Sequence, residues 1–242
     1  MFWWRNEVRP GVSVAFTDTG AGNLALHVGD NPEQVMARRV RLARSAGLGV
    51  RQFQYMDQVH GNTVEFIAAH GPGPTADAMV STATDSSYSG LAGAAQPLAV
   101  MVADCVPVVM VGVDASHKAV IAVAHAGRPG VASAVVPATV AEMRHRGAAD
   151  IHAWLGPSIC GSCYEVPEQL RAEVADLVPA TWSTSSWDTP ALDLPAGVTA
   201  QLASLDVPVE YSGQCTLEND SLFSYRRDSR TGRFAGLVWT HD

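Results

Sequence analysis

The sequence predicts a mixed α+β fold, in which helices and buried strands pack in layers within a single domain covering residues 1–242. Short valine-rich apolar runs occupy the middle of the chain, and such runs are typical of strands that are covered on both faces. Helical segments precede and follow these runs, and the first of them has clear boundary signals. The 242 residues contain no internal repeat and no long linker, so one hydrophobic core is expected.

The first predicted helix begins at Pro32 and ends near Ser45. Asn31 can cap its N-terminus, proline suits the first helical position, and Gln34 stands where the partner of a capping box is found. Gly47 is expected to terminate the helix. The stripe predicted to face the core consists of Met36, Val40 and Ala43, and the arginines predicted to face outward are Arg38, Arg41 and Arg44.

The other elements are predicted from apolar runs that turn residues interrupt. Strands are expected at residues 98–102, 106–113, 119–124, 151–155 and 234–240. Helices are expected at residues 131–145, 167–177 and 194–205, and Pro137 should kink the first of these or mark its true start. The segment TWSTSSWDTP at residues 181–190 is interpreted as a surface loop.

The composition indicates a globular protein that does not bind nucleic acid. Hydrophobic residues make up 47% of the chain and charged residues 17%, which argues against a disordered chain. The formal net charge is -8, and because nucleic-acid binding depends on Lys and Arg replacing counterions, no such partner is expected. A local basic cluster is nevertheless a candidate site for a small anion, and it consists of Arg226, Arg227, Arg230 and Arg233.

The sequence also predicts a cytoplasmic protein that does not associate with a membrane. No apolar run approaches the roughly 20 residues that a membrane-spanning helix needs. Residues 1–5, MFWWR, lack the basic start, long apolar middle and cleavage site of a signal peptide. The oligomeric state is left open. In the cytoplasm, cysteines are expected to be thiols or metal ligands rather than disulfides, and the four in this chain are Cys105, Cys160, Cys163 and Cys215.

Three residues share a position at or near the end of a predicted strand or beside a glycine turn: His60, Cys105 and His125. Strand ends are where a sheet presents side chains to a cleft. Zinc accepts imidazole nitrogen and thiolate sulfur, and catalytic zinc keeps three protein ligands with a fourth position open. The spacing alone leaves the alternatives open, since the histidines could be hydrogen-bonded structural residues and the cysteine a buried small hydrophobe.

Two further segments carry reactive or charged side chains. Cys160 and Cys163 form a CxxC, which could be half of a zinc site or a redox pair. Because no second CxxC is present and the order of a thioredoxin-like motif is missing, the pair is interpreted as two thiols in a turn. Residues 223–233 are rich in arginine, whose forked guanidinium suits phosphate, although a solvated charged turn would have the same composition.

Taken together and in order, the short motifs resemble a known family over about residues 23–239. The chain resembles the multicopper polyphenol oxidase or laccase-domain proteins, also known as purine nucleoside phosphorylases of the peptidoglycan-editing-factor type. The matching segments are NLALHVGD (23–30), QVHG (58–61), DAMV (77–80), ADCVP (103–107), HAG (125–127), GPSI (156–159), CYEV (163–166), CT (215–216), FSYRRD (223–228) and TGR (231–233).

The resemblance implies a fold, a cofactor and an activity. The implied fold is a layered α/β/β/α domain with mixed sheets. The implied metal ligands are His60, Cys105 and His125, with zinc as the cofactor and copper as the alternative. The implied activities are phosphorolysis of adenosine, inosine, guanosine and 5'-methylthioadenosine, and deamination of adenosine, so that the partners are purine nucleosides and phosphate. By position, Asp77 (with Asp104) is a candidate proton shuttle, and Arg226 a candidate phosphate ligand.

One departure from the family pattern lies beside the predicted metal site. The family usually continues His-Ala-Gly with Trp-Arg-Gly, whereas Arg128 and Pro129 stand at those two positions here. An aromatic wall and a cationic group are therefore lost, unless Arg128 supplies the charge from a shifted position. This departure raises the alternative of a family member that binds its ligand without turning it over.

Two other activities would use the same three residues. A copper oxidase acting on phenols fits the older family name, but it needs many clustered histidines, whereas the eight histidines here are scattered. A cysteine hydrolase acting in peptidoglycan precursor editing would use Cys105 as nucleophile and His125 as base.

Overall fold

The computed structural model describes residues 1–83 and 93–241, which form a mixed α+β fold, as the sequence predicts. The helices are α1 (Pro32–Ser45), α2 (Arg128–Ala132), α3 (Val135–His145), α4 (Glu168–Leu177) and α5 (Leu194–Ala203). The strands are β1 (Phe2–Arg9), β2 (Val12–Thr17), β3 (Val64–Phe66), β4 (Ala78–Thr82), β5 (Leu98–Val102), β6 (Val106–Val113), β7 (Ala119–Ala126), β8 (Ala149–Leu155), β9 (Trp182–Thr184), β10 (Pro190–Leu192), β11 (Val209–Tyr211) and β12 (Phe234–Thr240).

Two main sheets form the centre of the fold. The four-stranded sheet has the order β1-β2-β12-β5 and is antiparallel throughout. The six-stranded sheet has the order β11-β8-β6-β7-β4-β3, with parallel pairs at its two edges and antiparallel pairs between them. Strands β9 and β10 form a separate antiparallel hairpin.

Four layers follow from how the apolar side chains are distributed. One core cluster joins α2–α5 to the six-stranded sheet, a second lies between the two sheets, and a third joins α1 to the four-stranded sheet. In β6, Val108 packs in the first cluster and its neighbour Val109 in the second, because successive side chains of a strand point to opposite faces. Because both faces of the six-stranded sheet are covered, successive side chains of its central strands are all buried, and these strands are continuous apolar runs in the sequence.

Helix α1 has the predicted ends, but its buried face differs from the predicted stripe. The Asn31 side chain accepts the Gln34 N–H as the cap. Val35, Leu42 and Ala43 are buried, whereas Met36 is 48% exposed. The face of α1 that packs inward also includes Arg39, and an apolar pattern does not identify an arginine as an inward residue. The guanidinium of Arg39 lies 3.8 Å from the centre of the Tyr55 ring and donates to the Leu24 carbonyl oxygen.

Several other elements differ from the sequence-based expectation, and by one or two residues these include β7, which extends to Ala126, β8, which begins at Ala149, and α4, which begins at Glu168. The helix expected at 131–145 is two helices, α2 and α3, separated by Ala134 with φ of 62°, and Pro137 lies in the first turn of α3. Helix α5 ends at Ala203 rather than at residue 205. The segment expected to be a loop at 181–190 contains β9 and the start of β10.

Among the residues that the structure describes, seven strands were not predicted at all, and they are β1–β4 and β9–β11. Most of them are short or have exposed polar positions, such as the central Arg5, Asn6 and Glu7 of β1. Across residues 1–83 and 93–241, no helix is both long enough and apolar enough to cross a lipid bilayer.

Candidate active site

The three predicted metal ligands meet at one end of the central strands of the six-stranded sheet. Cys105 directly precedes β6, and His125 lies near the end of the antiparallel neighbour β7, opposite Pro107 in the register. His60 lies in the loop that leads to β3. The donor atoms of the three side chains all lie within 4.8 Å of one another.

A single buried carboxylate positions both histidines. Asp77, which directly precedes β4, is 0% exposed, and its Oδ1 lies 2.8 Å from His125 Nδ1. The same Oδ1 accepts the backbone N–H of His60 at 2.9 Å, and Oδ2 accepts that of Gly61 at 2.6 Å. Because Nδ1 of His125 is engaged by Asp77, its Nε2 is the nitrogen that remains to face the cluster.

The donor set and the space between the donors fit a zinc ion. Cys105 Sγ lies 3.9 Å from His60 Nε2. Zinc–ligand bonds of about 2.3 Å to sulfur and about 2.0 Å to nitrogen give a sulfur–nitrogen distance of about 3.5 Å in a tetrahedral site, a few tenths of an ångström below that separation. A Cβ on Gly127 would lie 2.9 Å from Cys105 Sγ and 2.9 Å from His60 Cδ2, so the glycine leaves this space open.

The electrostatics of the cluster favour a thiolate facing an imidazolium when no metal is bound. Burial raises the pKa of Cys105, but the His125 charge and hydrogen bonds from His125 and His60 outweigh it and bring the pKa to about 6. Burial lowers the pKa of His125, but Cys105 and Asp77 outweigh it and bring the pKa to about 9. Burial likewise raises the pKa of Asp77, while hydrogen bonds from His125 and Gly61 produce a net decrease.

A cavity of about 300 Å³ opens beside the cluster. Its lining includes His60 and Cys105, the apolar side chains of Ile159 and Leu194, two tyrosines and two arginines. The tyrosines are Tyr164 and Tyr225, and the arginines are Arg226 and Arg233. A larger cavity of about 510 Å³ lies along α1, but its lining contains none of the three donor residues. The chemistry therefore assigns the smaller cavity as the candidate active site.

Arg226 lines this cavity, as its predicted phosphate role requires. Its Nη1 donates to the Glu165 carbonyl oxygen at 2.9 Å, and its guanidinium lies 4.7 Å from the centre of the Tyr164 ring. Its backbone N–H donates to Asp104 Oδ2, and Asp104 Oδ1 accepts from Thr216 Oγ1 at 2.6 Å. Both carboxylate oxygens of Asp104 thus accept a hydrogen bond, one of them from a residue that lines the cavity.

Several cavity residues were not assigned a role from the sequence. Tyr164, Tyr225 and Arg233 line the cavity, and all three lie inside the family motifs, which was the signal that could have identified them. Arg128, which stands in place of the usual tryptophan, is close enough to Tyr164 for its positive charge to oppose the rise that burial causes in the pKa of that phenol. Its charge therefore reaches the wall of the cavity.

Comparisons with known proteins agree on one family. The model of the family described as "Multi-copper polyphenol oxidoreductase laccase" matches residues 6–241. A Streptomyces griseus protein named purine nucleoside phosphorylase is 46% identical over 238 residues, which cover 93% of each chain. An Escherichia coli protein of the same name is 33% identical over 221 residues, which cover 90% of this chain and 85% of the relative. The crystal structure of a Neisseria meningitidis protein, NMB0706, matches with a TM-score of 0.81 and 31% identity, covering 100% of this chain and 99% of that one.

Proposed function

Since the chain belongs to the multi-copper polyphenol oxidoreductase laccase family, we propose that it is a metal-dependent purine nucleoside phosphorylase. The relatives named purine nucleoside phosphorylase support this activity. The proposed substrates are adenosine, inosine, guanosine and 5'-methylthioadenosine, each with inorganic phosphate. Deamination of adenosine is the proposed second activity, and zinc is the proposed cofactor.

The observation that carries the proposal is the convergence of His60, Cys105 and His125 on a space that Gly127 keeps open. Two imidazoles and one thiolate match the three-ligand set of catalytic zinc, which leaves one position for substrate or water. A zinc ion bound there would supply Lewis-acid chemistry by polarising an oxygen atom. Asp77 stays in the proposed site as a positioning residue, because it orients His125 and the His60 backbone from behind.

The cavity wall suits both substrates of a phosphorolysis, the purine nucleoside and phosphate. Tyr164 and Tyr225 offer aromatic faces for a purine ring. Arg226 and Arg233 offer guanidinium donors for phosphate, and within the described residues the guanidinium of Arg226 uses Nη1 to donate to the Glu165 carbonyl oxygen, which leaves its other donors for phosphate. In the reaction a phosphate oxygen attacks the ribose carbon while the glycosidic bond breaks, so holding phosphate at the sugar face is the main task of these arginines.

Copper-dependent oxidation of phenols is the less supported alternative. In the described part of the chain, only one cluster of potential metal ligands contains histidine, and it contains two of them. A multicopper centre needs many more imidazole ligands, so a mononuclear site fits this cluster better. The choice of zinc over copper remains part of the proposal.

A cysteine hydrolase is the second candidate, and one specific arrangement favours it. Cys105, His125 and Asp77 are ordered as nucleophile, base and orienting carboxylate, the arrangement that activates a thiol in hydrolases. A bound metal would occupy the thiolate and block this chemistry. Retention of a metal at Cys105 during turnover therefore separates the two functions.

The domain organisation, cellular location and partners of the enzyme are proposed from its sequence. Residues 1–242 are taken as a single domain that acts on small molecules in the cytoplasm, without a nucleic-acid or membrane partner.

The test is a nucleoside assay on zinc-loaded protein, with and without phosphate, in the wild type and in Cys105→Ala. Phosphate-dependent release of adenine or hypoxanthine that is lost in Cys105→Ala supports the proposal. The control is His145→Ala, which changes an exposed histidine at the end of α3 and should retain activity. Turnover of phenols with bound copper, or of no nucleoside at all, would refute it.

A further inference from the structure

A second cluster of potential metal ligands lies outside the candidate active site and shares no residue with it. The donor atoms of Cys160, Cys163, Cys215 and Glu218 all lie within 4.8 Å of one another. Cys163 Sγ lies 3.6 Å from Glu218 Oε1. Cys163 and Cys215 are buried, Cys160 is half-buried and Glu218 is exposed. Three of the four cysteines of the chain therefore meet at one point.

The topology of the six-stranded sheet brings these residues together. Strands β8 and β11 run parallel, with Leu155 opposite Tyr211, so the segments that follow them leave the sheet at the same edge. Ser158 and Cys215 form an isolated bridge between the two segments, and the Thr216 N–H donates to the Ser158 carbonyl oxygen. The sequence-based interpretation of the CxxC as two thiols in a turn was incomplete, because the third thiol comes from a distant segment.

The local backbone holds the four side chains in place. The N–H groups of Cys163 and Tyr164 both donate to the Cys160 carbonyl oxygen at 3.0 Å and close the CxxC turn. On the other segment, Nη1 of Arg227 donates to the carbonyl oxygens of Thr216 and Leu217. The ligands on both segments are therefore ordered by contacts that do not depend on a metal.

We propose that Cys160, Cys163, Cys215 and Glu218 form a second, structural zinc site. Three thiolates and one carboxylate complete a closed four-coordinate set, and the CxxC spacing is the common one in structural zinc sites. A disulfide would use only two of the three sulfurs and leave the position of the Glu218 carboxylate unexplained. The site is independent of the nucleoside chemistry proposed above.

The proposed zinc ion would brace the wall of the active-site cavity. Ile159 and Tyr164 flank the CxxC and line that cavity. The Ile159 N–H donates to the Asp104 carbonyl oxygen, and Thr216 Oγ1 donates to Asp104 Oδ1. The two segments that the zinc would join therefore both hydrogen-bond to Asp104, the residue directly before Cys105.

The experiment is metal analysis of the full-length protein purified under reducing conditions, in the wild type, in Cys163→Ser and in the matched control Cys105→Ser. We expect two zinc ions per chain in the wild type and one in each variant. After cobalt substitution, the thiolate-to-cobalt charge-transfer absorption should be mostly retained in Cys105→Ser and mostly lost in Cys163→Ser, since the second site holds three of the four thiolates.

The proposal is overturned if the wild type binds one zinc that Cys105→Ser removes and Cys163→Ser retains. A Cys160–Cys163 disulfide in the freshly purified wild-type protein would also overturn it. If Cys163→Ser does not fold, Glu218→Gln changes an exposed side chain and tests the same site. We expect this variant to bind its second zinc at least about tenfold more weakly, and an unchanged affinity for both zinc ions would contradict the assignment of Glu218.

Discussion

The Asp77 carboxylate contacts His125 through Oδ1 and Nδ1 at 2.8 Å, from a position that is 0% exposed. The same carboxylate accepts the backbone N–H groups of His60 and Gly61. One side chain therefore fixes the ring of one proposed ligand and the backbone of another. This arrangement makes the metal site depend on a residue that does not itself contact the metal.

Asp77→Asn is expected to weaken zinc binding at the active site by about 10–100-fold. An amide has one acceptor oxygen, so it cannot serve His125 and both backbone N–H groups as the carboxylate does. The measurement is a competition titration with a zinc chelator. The control is Asp176→Asn, which changes an exposed carboxylate on α4 and should leave the affinity unchanged. Equal affinities in the two variants would show that Asp77 does not position the ligands.

Cys105 in the metal-free protein should react with iodoacetamide as a thiol with a depressed pKa. Because its pKa is about 6, the thiolate predominates above that pH, and the rate should rise through pH 6 and level off near neutrality. An ordinary cysteine would rise through about pH 8.5. Mass mapping of the Cys105 peptide separates it from the other thiols. His125→Ala should move the midpoint upward, and bound zinc should protect the thiol. A wild-type midpoint near that of an ordinary cysteine would contradict the proposed ion pair.

Gly127→Ala should remove zinc from the active site without unfolding the protein. A Cβ there would lie 2.9 Å from Cys105 Sγ, while the glycine has φ of −76°, which alanine adopts readily. The measurements are zinc content and the thermal midpoint. Gly71→Ala is the matched control, because nothing lies within 4 Å of its added Cβ. Full zinc content in Gly127→Ala would show that the metal does not occupy this space.

Much of the fold could be predicted because local signals and burial agree. The Asn31 cap predicts the start of α1, and the apolar runs of β5, β6 and β12 predict strands with the observed bounds. Strands such as β1 and β11 were not predicted because their sequences contain no long apolar run, and pairing with strands β2 and β8 defines them in the structure. Pairing between β6 and β7 brings Cys105 to His125, and this long-range register is not encoded in local spacing.

The candidate site was predictable only to the extent that its motifs were recognisable. Without the family motif, an isolated cysteine in a valine-rich segment, such as Cys105, would have been interpreted as a core residue. The meeting of Cys215 with the CxxC depends on the parallel pairing of β8 with β11, a pairing between segments far apart in the chain.

Arg226→Ala is expected to raise the KM for phosphate by about 10–100-fold, because a charge-assisted hydrogen bond contributes about 1.5–3 kcal/mol. The KM for nucleoside should change less, since the positive charge lost in Arg226→Ala is proposed to bind the phosphate anion and not the neutral nucleoside. Steady-state kinetics with phosphate and nucleoside varied in turn measure both constants. Arg230→Ala serves as the control, because Arg230 belongs to the same basic cluster of the sequence but is exposed and does not line the cavity. A phosphate KM that is the same in both variants would remove Arg226 from the proposed site.

The central claim is tested most directly by following isotopically labelled phosphate during incubation of the zinc-loaded protein with adenosine. Phosphorolysis at the His60, Cys105 and His125 site predicts labelled ribose 1-phosphate and adenine in equal amounts, with both absent in Cys105→Ala. Adenosine that stays intact, or that is converted only to inosine while the label remains in phosphate, would contradict it.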